Sequence, residues 1–407
     1  MTTDLKVPSQ SRNIATLASS AEAMTKVADL LPGFAARAAA TDKDRHVPDQ
    51  SIDELRQSGL FGVVKPKLMG GSELGFADLV RVTAEISTVC GSTGWVYGVL
   101  AGHSWLLNLF PEEAQREIFV DVHVLIATVF RLGGQIVEEG EGYRLTSGNG
   151  RFCSGIDYAD WVIVGNAVKK ADGTEEPRFF VIPKNDIEVV DDWFTVGMRG
   201  TGSRSIKIAD AFIPAHRSCR LADMIAGTAP GAKLHHAAIY RMPFNDLAPF
   251  SIIGAPLGMA RGAVSGFADH LGGKLRDAGD VQIAEQSATF ARIGEAAAVV
   301  DAALALVISD AARLDAAKQS SDITPVQRAQ ISRDWAYAAQ QARYATTRIF
   351  EASGGSAIYD GDVTQRVWRD VNSAAQHFAF TWDTAMASFG RAALGLKPGA
   401  FTIRKRS

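Results

Sequence analysis

A hydroxyl side chain stands at a turn in the segment FCSGIDYADWVIVG, residues 152–165. Ser154 and Gly155 occupy the turn, and the apolar run behind them alternates with the two-residue period of a β-strand. A serine hydroxyl can donate one hydrogen bond and accept others without filling the space in front of it. The same residues also fit a serine that only closes a β-turn beside glycine.

Three ring-bearing residues could act beside such a hydroxyl. Trp95 and His103 are eight residues apart, a little more than two helical turns, so both can face one cavity if STGWVYGVLAGH is helical. His377 follows a helical pattern near the end of the chain, and an imidazole can donate or accept a proton near neutral pH. A core tryptophan, a capping histidine and a packed core histidine are the structural alternatives.

Two segments contain glycines at positions that matter for their conformation. GMRGTGS, residues 197–203, combines glycines that allow close approach of backbone amides with the donors Arg199, Thr201 and Ser203. ASGGSAIYD, residues 352–360, contains Gly354 and Gly355 just after a long helical pattern. The first segment suits contact with a ligand, and the second predicts the end of the long helix.

The elements that must position these residues divide the chain into three predicted domains. Residues 1–119 have helical periodicity, residues 120–222 contain short alternating runs between Gly, Asp and Asn clusters, and residues 223–407 return to long helical patterns. We therefore predict an α+β fold that is mostly α. It comprises an N-terminal helical domain, a middle antiparallel β-barrel or sandwich, and a C-terminal four-helix bundle.

Local signals support this division. SIDE, residues 51–54, predicts a capping box with Ser51 as the cap of a short helix that closes at Gly59. TPVQ, residues 324–327, predicts a second helix start, with Thr324 as the cap and proline in the first turn. The Ala-rich segment 281–317 predicts another long helix of the bundle.

Composition restricts the function classes. The 407 residues carry a formal net charge of −3, and no block of Lys or Arg indicates a nucleic-acid partner. The three cysteines are too few and too scattered for a zinc site or a disulfide framework. The longest apolar run, residues 296–308, is too short to span a membrane and contains Asp301. We expect a cytoplasmic protein without a metal.

Five motifs in this order carry a family resemblance that covers nearly the whole chain: CGSTGWVYGVLAGH (90–103), FCSG (152–155), VGMRGTGSRSIKIADAFIPAHR (196–217), YRMPF (240–244) and FEASGGSAIYDGDVTQRVWRDVNSAAQH (350–377). The chain resembles the acyl-CoA dehydrogenase fold. It resembles more closely the oxygenase components of two-component flavin-dependent monooxygenases, a family that includes p-hydroxyphenylacetate and secosteroid phenol hydroxylases.

The resemblance implies reduced flavin, FMNH2 or FADH2, as cofactor and O2 as co-substrate, which react through a C4a-hydroperoxyflavin. It implies that the Ser154 hydroxyl lies at the flavin N5, in a water-excluding site that protects this adduct. Phe152, Arg199, Thr201 and Ser203 would also contact the flavin. Gly354 and Gly355 match a turn that touches the flavin of a neighbouring subunit, so the resemblance implies a homotetramer.

The resemblance also implies how an aromatic substrate would be held and oxidised. His377 would be catalytic, and Trp95, His103 and Phe130 would line the pocket. Thr128, Val129 and Phe130 stand where related phenol hydroxylases tend to carry serines. The substrate is therefore expected to be phenolic or a more apolar ring system such as an indole.

Missing motifs indicate a partner and leave alternatives open. The chain contains no nicotinamide-binding or nucleotide-triphosphate-binding glycine motif, so a separate NAD(P)H-dependent flavin reductase is expected to supply reduced flavin. An acyl-CoA dehydrogenase is disfavoured because no glutamate follows the Arg-Asp pair at 369–370. Oxidation at sulfur or nitrogen on the same fold, and a helical scaffold that has lost catalysis, stay open.

Overall fold

The structure, a computed structural model, describes residues 16–170, 172–275 and 286–398. Its α-helices are α1 (Ser20–Asp44), α2 (Asp49–Ser58), α3 (Phe76–Ser87), α4 (Gly91–Leu107), α5 (Glu112–Ile118), α6 (Leu221–Ala226), α7 (Phe244–Leu247), α8 (Phe250–Leu275), α9 (Ser287–Ala316), α10 (Pro325–Ala352), α11 (Val363–Ala374) and α12 (Trp382–Ala393). Its strands are β1 (Ile126–Val129), β2 (Gly133–Glu139), β3 (Gly142–Cys153), β4 (Trp161–Lys169), β5 (Glu175–Pro183), β6 (Glu188–Val190), β7 (Arg204–Ile208), β8 (Ala211–Pro214) and β9 (Ser218–Arg220).

The start of α2 corrects one prediction. The helix begins at Asp49, after Pro48, so Ser51 lies inside it and is not its cap. The Ser51 hydroxyl accepts a hydrogen bond from Arg37 Nε of α1 at 2.8 Å, and Glu54 also pairs with Arg37. Tertiary contacts with α1 therefore use both polar side chains that a capping box would need. The predicted end is confirmed, since Gly59 adopts a left-handed conformation with φ 79°.

Helices α3, α4 and α8 pack with unusually close backbones because glycines line their contacts. A Cβ at Gly98 of α4 would lie 2.0 Å from the Ser251 carbonyl oxygen, and a Cβ at Gly258 of α8 would lie 2.0 Å from the Ala84 carbonyl oxygen. Only glycine fits at such distances. This glycine contact places α4, the helix of Trp95 and His103, firmly against α8.

The nine strands form one sheet, which contains two parallel pairs besides the predicted antiparallel ones. Most pairs are antiparallel, but β1 and β2 both pair parallel with β4. The β2–β3 hairpin and the turn at Ser154 separate β1 from β4 in the chain, which brings β4 back in the direction of β1. One core is built only from residues between 127 and 213, so the sheet wraps around its own interior as a barrel or sandwich does.

The side chains on the two faces of β1 pack into different hydrophobic cores. Ala127 and Val129 join the core inside the sheet, whereas Ile126 joins the large core shared with the helices and Phe130 packs against it. Strand side chains alternate between faces, so Thr128 points to the helical side with its two neighbours. The helical side of β1 therefore faces α4, and it is here that the candidate site is assembled.

The C-terminal helices pack as predicted around an alanine-rich interior. Thr324 and Gln327 form the predicted capping box, in which Thr324 Oγ1 accepts from the Gln327 amide at 3.2 Å and Gln327 Oε1 accepts from the Thr324 amide at 2.8 Å. The buried residues of α10 include Ile331, Trp335, Ala338, Ala342, Ala345 and Ile349. Residues 281–285 of the predicted long helix lie outside the described residues.

One described helical segment, Phe244–Leu275, is long and apolar enough to cross a membrane by length and composition. Within it, 78% of the most apolar window is buried inside the protein, as in the central helix of a folded core. The glycines of α8 allow this segment to pack inside the protein.

Candidate active site

The Ser154 turn combines left-handed backbone with an accessible hydroxyl. Phe152 adopts φ 65° and Gly155 adopts φ 75°. A Cβ at Gly155 would also lie 2.9 Å from Leu100 of α4, so glycine is needed both for conformation and for packing. Ser154 is partly exposed, while the Phe152 ring projects into solvent with 63% exposure. Left-handed backbone at a non-glycine residue often accompanies a functional site.

A chain of hydroxyl groups leads inward from this turn. Ser154 Oγ lies 2.6 Å from Ser203 Oγ, which lies 2.7 Å from Thr201 Oγ1. Thr201 Oγ1 donates to the Met198 carbonyl oxygen at 2.8 Å. On the outer side, Trp95 Nε1 donates to Ser154 Oγ at 3.2 Å. The structure thus joins four of the predicted site residues, Trp95, Ser154, Thr201 and Ser203, into one hydrogen-bonded unit.

Helix α11 binds the loop that carries Met198, the residue at the inner end of this hydroxyl chain. The Met198 amide donates to Asp370 Oδ1 at 2.5 Å, and Arg369 donates to the Val196 carbonyl oxygen at 2.6 Å. Asp370 is only 5% exposed, and burial is the main cause that raises its pKa to about 7. The Arg-Asp pair therefore anchors this loop to α11, a role that the residue types alone do not indicate.

Two glycines of GMRGTGS allow close packing within the protein. A Cβ at Gly197 would lie 2.3 Å from the Arg369 carbonyl oxygen, and a Cβ at Gly200 would lie 2.3 Å from Thr41 of α1. In the same segment, Arg199 Nε is buried without a hydrogen-bond partner among the described residues. A buried guanidinium N–H without a partner fits a site that receives a polar ligand.

His377 lies against Trp95, with the two ring centroids 5.9 Å apart in an edge-to-face arrangement. Its Nδ1 accepts from the Ala379 amide at 3.3 Å, so the ring proton belongs on Nε2. Burial lowers the pKa of His377 to about 4, so the imidazole is neutral at pH 7. His377 therefore presents an N–H donor at Nε2.

His103 has the opposite tautomer. Its Nδ1 lies 3.0 Å from the Ile126 carbonyl oxygen, which can only accept, so the ring proton belongs on Nδ1. Burial lowers the pKa of His103 to about 4, and the side chain is neutral at pH 7. The unprotonated Nε2 can then accept a hydrogen bond or a proton from a ligand.

A belt of ring contacts connects the two histidines. The centroid of His377 lies 4.3 Å from that of Phe378, which lies 6.3 Å from Phe130, which in turn lies 6.2 Å from His103. Phe179 and Phe244 contact Phe130 from behind at 6.1 and 5.9 Å. The belt brings together Trp95, His103, Phe130 and His377, all of which the sequence analysis had selected. An aromatic wall with one donor and one acceptor suits a flat ligand that carries a polar group.

Some aromatic residues near the site were not predicted from the sequence, and two predicted residues lie apart from the Ser154 cluster. Trp193, Phe179, Phe244 and Phe378 were not selected, because isolated aromatic residues in strands and loops look like ordinary core residues in a sequence. Gly354 and Gly355 make no described hydrogen bond to the Ser154 cluster, and a Cβ at either would meet nothing within 4 Å. Thr128 Oγ1 is buried without a hydrogen-bond partner among the described residues, although its position beside Phe130 had been noted.

Comparisons with known proteins agree with this architecture. The chain matches the acyl-CoA dehydrogenase N-terminal domain over residues 25–122 and the acyl-CoA dehydrogenase C-terminal domain over residues 251–382. It is 33% identical to the oxygenase component of an FADH(2)-dependent resorcinol hydroxylase of Rhizobium sp. (strain MTP-10005), over 91% of this chain and 93% of that protein.

Two further relatives are as similar. The flavin-dependent monooxygenase oxygenase subunit HsaA of Mycobacterium tuberculosis is 34% identical over 92% of this chain and 96% of its own. The crystal structure of 3-HSA hydroxylase from Rhodococcus sp. RHA1 superimposes with a TM-score of 0.88 at 31% identity, and the match covers 93% of this chain and 98% of that one. The two domain matches and the relatives, which align over nearly the whole chain, agree with each other. The chain therefore belongs to the oxygenase components of two-component, reduced-flavin-dependent monooxygenases built on the acyl-CoA dehydrogenase fold.

Proposed function

We propose that this enzyme hydroxylates a phenolic or indole-like small molecule held between α4 and the helical side of β1. The observation that supports the proposal most strongly is the pair of opposite histidine tautomers at the two ends of the aromatic belt. His103 offers a lone pair at Nε2 and His377 offers an N–H at Nε2. A phenol hydroxyl or an indole N–H can donate to the first, while the second stabilises oxygen on the other side.

The described residues fit a reduced flavin at the Ser154 turn. Bound flavin supplies the two electrons that let O2 give one oxygen atom to the substrate and the other to water. Ser154 would hold the proton on the flavin N5 through its free lone pair, and the unpartnered Arg199 Nε would donate to a polar edge of the cofactor. Phe152, Trp95 and Phe378 would exclude water from the space between the cofactor and the substrate.

The residue roles follow from the contacts already described. His103 accepts the proton of the substrate as the ring is oxygenated. Burial lowers its pKa to about 4, so the imidazole is neutral at pH 7 and its Nε2 is free to accept. His377 positions oxygen through its Nε2 proton and supports Trp95, which donates to Ser154. Phe130, backed by Phe179 and Phe244, sets the width of the pocket.

As in other two-component oxygenases, a separate flavin reductase supplies the reduced cofactor; we propose that it uses NAD(P)H. A homotetramer is also proposed. Beyond Gly354 and Gly355, Ile358 and Tyr359 are 70% and 72% exposed, and adjacent apolar side chains of this size suit a contact between subunits. We also propose that the protein is located in the cytoplasm.

The test uses the purified chain with chemically reduced FMN or FAD and a panel of phenols and indoles. Single-turnover reactions with O2 should convert one or more of these compounds to a hydroxylated product in an amount approaching that of the bound flavin. Oxidation of the flavin to give only H2O2 with every compound would contradict aromatic hydroxylation. Thioethers and amines belong in the same panel, and their exclusive oxygenation would establish S- or N-oxidation instead.

Acyl-CoA oxidation has a clear structural requirement that the described site does not meet. The reaction needs a carboxylate or similar base beside the flavin, whereas the nearest described carboxylate on α11, Asp370, is turned to the Met198 amide. Anaerobic addition of acyl-CoA to enzyme with oxidised FAD should therefore leave the flavin oxidised. Bleaching of the flavin would favour the dehydrogenase.

A further inference from the structure

The hydroxyl chain beneath Ser154 has only one possible direction. Its three contacts, Ser154 to Ser203, Ser203 to Thr201 and Thr201 to the Met198 carbonyl oxygen, measure 2.6, 2.7 and 2.8 Å. Three hydroxyls carry three protons, one for each contact. A carbonyl oxygen has no proton, so Thr201 must donate to Met198. Ser203 must then donate to Thr201, and Ser154 must donate to Ser203.

This direction leaves Ser154 unable to donate to a ligand. Its proton is directed inward to Ser203, and one of its lone pairs accepts from Trp95 Nε1 at 3.2 Å. One lone pair remains. Ser203 and Thr201 are 4% and 2% exposed, so water cannot readily replace either link, whereas Ser154 is partly exposed and faces outward.

We propose that Thr201 is a positioning residue that fixes the direction of this chain, so that Ser154 can accept but cannot donate a hydrogen bond and the site thereby prefers reduced over oxidised flavin. The proposal rests on the proposed placement of Ser154 at the flavin N5. Reduced flavin carries a hydrogen on N5 that the free lone pair of Ser154 can accept. Oxidised flavin has only a lone pair at N5, which would face the lone pair of Ser154 without a proton between them.

The end of the chain is held firmly enough to impose this direction. The Met198 carbonyl oxygen also accepts from Trp193 Nε1 at 3.0 Å and from the Thr201 amide at 3.2 Å, and the Met198 amide is bound to Asp370. The carbonyl therefore cannot turn away from the Thr201 hydroxyl. In Thr201→Val, the Met198 carbonyl oxygen keeps its other two donors, Trp193 Nε1 and the amide of residue 201. The substitution therefore removes the fixed direction of the hydroxyl chain without leaving this buried acceptor unpaired.

The experiment compares dissociation constants of oxidised and dithionite-reduced FMN, and of both forms of FAD, measured anaerobically by ultrafiltration. The wild-type chain should bind the reduced form more tightly. In Thr201→Val, Ser203 can donate to Ser154 and Ser154 can turn its proton to N5, so the ratio of oxidised to reduced dissociation constants should fall about three- to tenfold. Ser203→Ala should lower the ratio in the same direction, and Thr201→Ser should restore it.

Thr195 provides a matched control in the same loop. Its hydroxyl donates to the Gly197 carbonyl oxygen at 2.9 Å but has no part in the chain to Ser154. Thr195→Val should therefore leave the ratio unchanged, even if it weakens binding of both forms. Thermal unfolding of each variant without flavin identifies any that fail to fold.

The outcomes separate the inference from the function on which it rests. If Thr201→Val weakens both flavin forms by the same factor, Thr201 is only structural and the inference is wrong. In Ser154→Ala, adding Thr201→Val should change the ratio no further, and an additional change would contradict action through Ser154. A wild-type chain that binds neither form would overturn the proposed function together with this inference.

Discussion

The amide of Met198 donates a hydrogen bond to Asp370 at 2.5 Å, although 172 residues separate them in the sequence. This contact joins the loop before β7 to α11, and the same helical segment leads to His377 beside Trp95. Both ends of the hydroxyl chain are thus held from one side of the molecule. A change in α11 should therefore affect the flavin site even where it touches no ligand.

We expect Asp370→Asn to remove a pH dependence of stability. The folded-state pKa of about 7 is above the ordinary value of 3.8, so the stabilisation from proton binding is full at low pH and is lost as the pH rises through 7. Asparagine retains an acceptor for the Met198 amide and does not titrate. Between pH 5 and 7 the free energy of unfolding of the wild type should fall relative to this variant by roughly 1 kcal/mol per pH unit.

Urea unfolding at pH 5, 6, 7 and 8 measures this difference. Asp370→Ala is the complementary variant, because it leaves the Met198 amide without its acceptor and should cost about 1–3 kcal/mol at every pH. Parallel curves for wild type and Asp370→Asn would show that the carboxylate does not titrate in this range.

A second buried carboxylate, Asp310, predicts stabilisation by substitution. Asp310 of α9 is 1% exposed, neither of its oxygens has a hydrogen-bond partner among the described residues, and Asp334 of α10 lies beside it. Burial, with the nearby Asp334, raises the pKa of Asp310 to about 7, so its ionisation destabilises the protein as the pH rises through 7. At pH 8, Asp310→Asn should raise the free energy of unfolding by about 1–3 kcal/mol.

Thermal unfolding at pH 6 and pH 8 tests this, and the gain should be smaller at pH 6, where Asp310 is mostly protonated. Asp301→Asn, an exposed position on the same helix, should change the midpoint little at either pH. Loss of stability in Asp310→Asn at pH 8 would mean that the ion pair of Asp310 with Arg313, at 3.4 Å, outweighs the cost of burying the charge.

His103 should be a neutral imidazole at the start of each turnover. Since burial lowers its pKa to about 4, turnover of a non-ionising substrate such as indole should show no histidine ionisation between pH 5.5 and 8. His103→Leu removes the acceptor at Nε2 and should lower kcat for a phenol by roughly 10²- to 10⁴-fold. His270→Asn, on the exposed side of α8, is the control. A pH profile with an inflection near 6.5 that disappears in His103→Leu would contradict the assignment of a neutral imidazole.

Phe130 should control which rings enter the pocket. Its side chain contacts His103, Phe179, Phe244 and Phe378. Phe130→Ala should raise KM for single-ring substrates about tenfold and should increase the relative rate for fused or substituted rings. Phe212→Ala, on an exposed position of β8, should change neither. Equal loss of activity with every substrate would instead indicate that Phe130 only supports the fold.

Local sequence signals predicted elements well where no distant residue competed for the same groups. The capping box at Thr324 is exposed and formed as expected. The one at Ser51 failed because Arg37, on another helix, takes both the hydroxyl and the Glu54 carboxylate. A polar side chain can satisfy its helix or its neighbour, and the sequence alone does not show which one is closer.

The site was predictable in part for the same reason. Ser154, Trp95, His103 and His377 could be selected by residue type and motif, and the structure brings them together. The role of Asp370 could not be, because it depends on a loop that reaches α11 from the β-region. The direction of the hydroxyl chain depends on one backbone carbonyl, which has no signal in the sequence.

The glycine contact between α4 and α8 restricts how this pocket can diversify. Trp95 and His103 stand on a helix that cannot shift, because its backbone already touches Ser251 of α8. New substrates must therefore be accommodated from the opposite wall, by exchange of Phe130, Phe179 or Phe244 on shorter, independently replaceable segments. Related enzymes with different aromatic substrates are expected to differ on that wall while they keep the same rigid helix, which makes α4 the fixed reference against which specificity evolves.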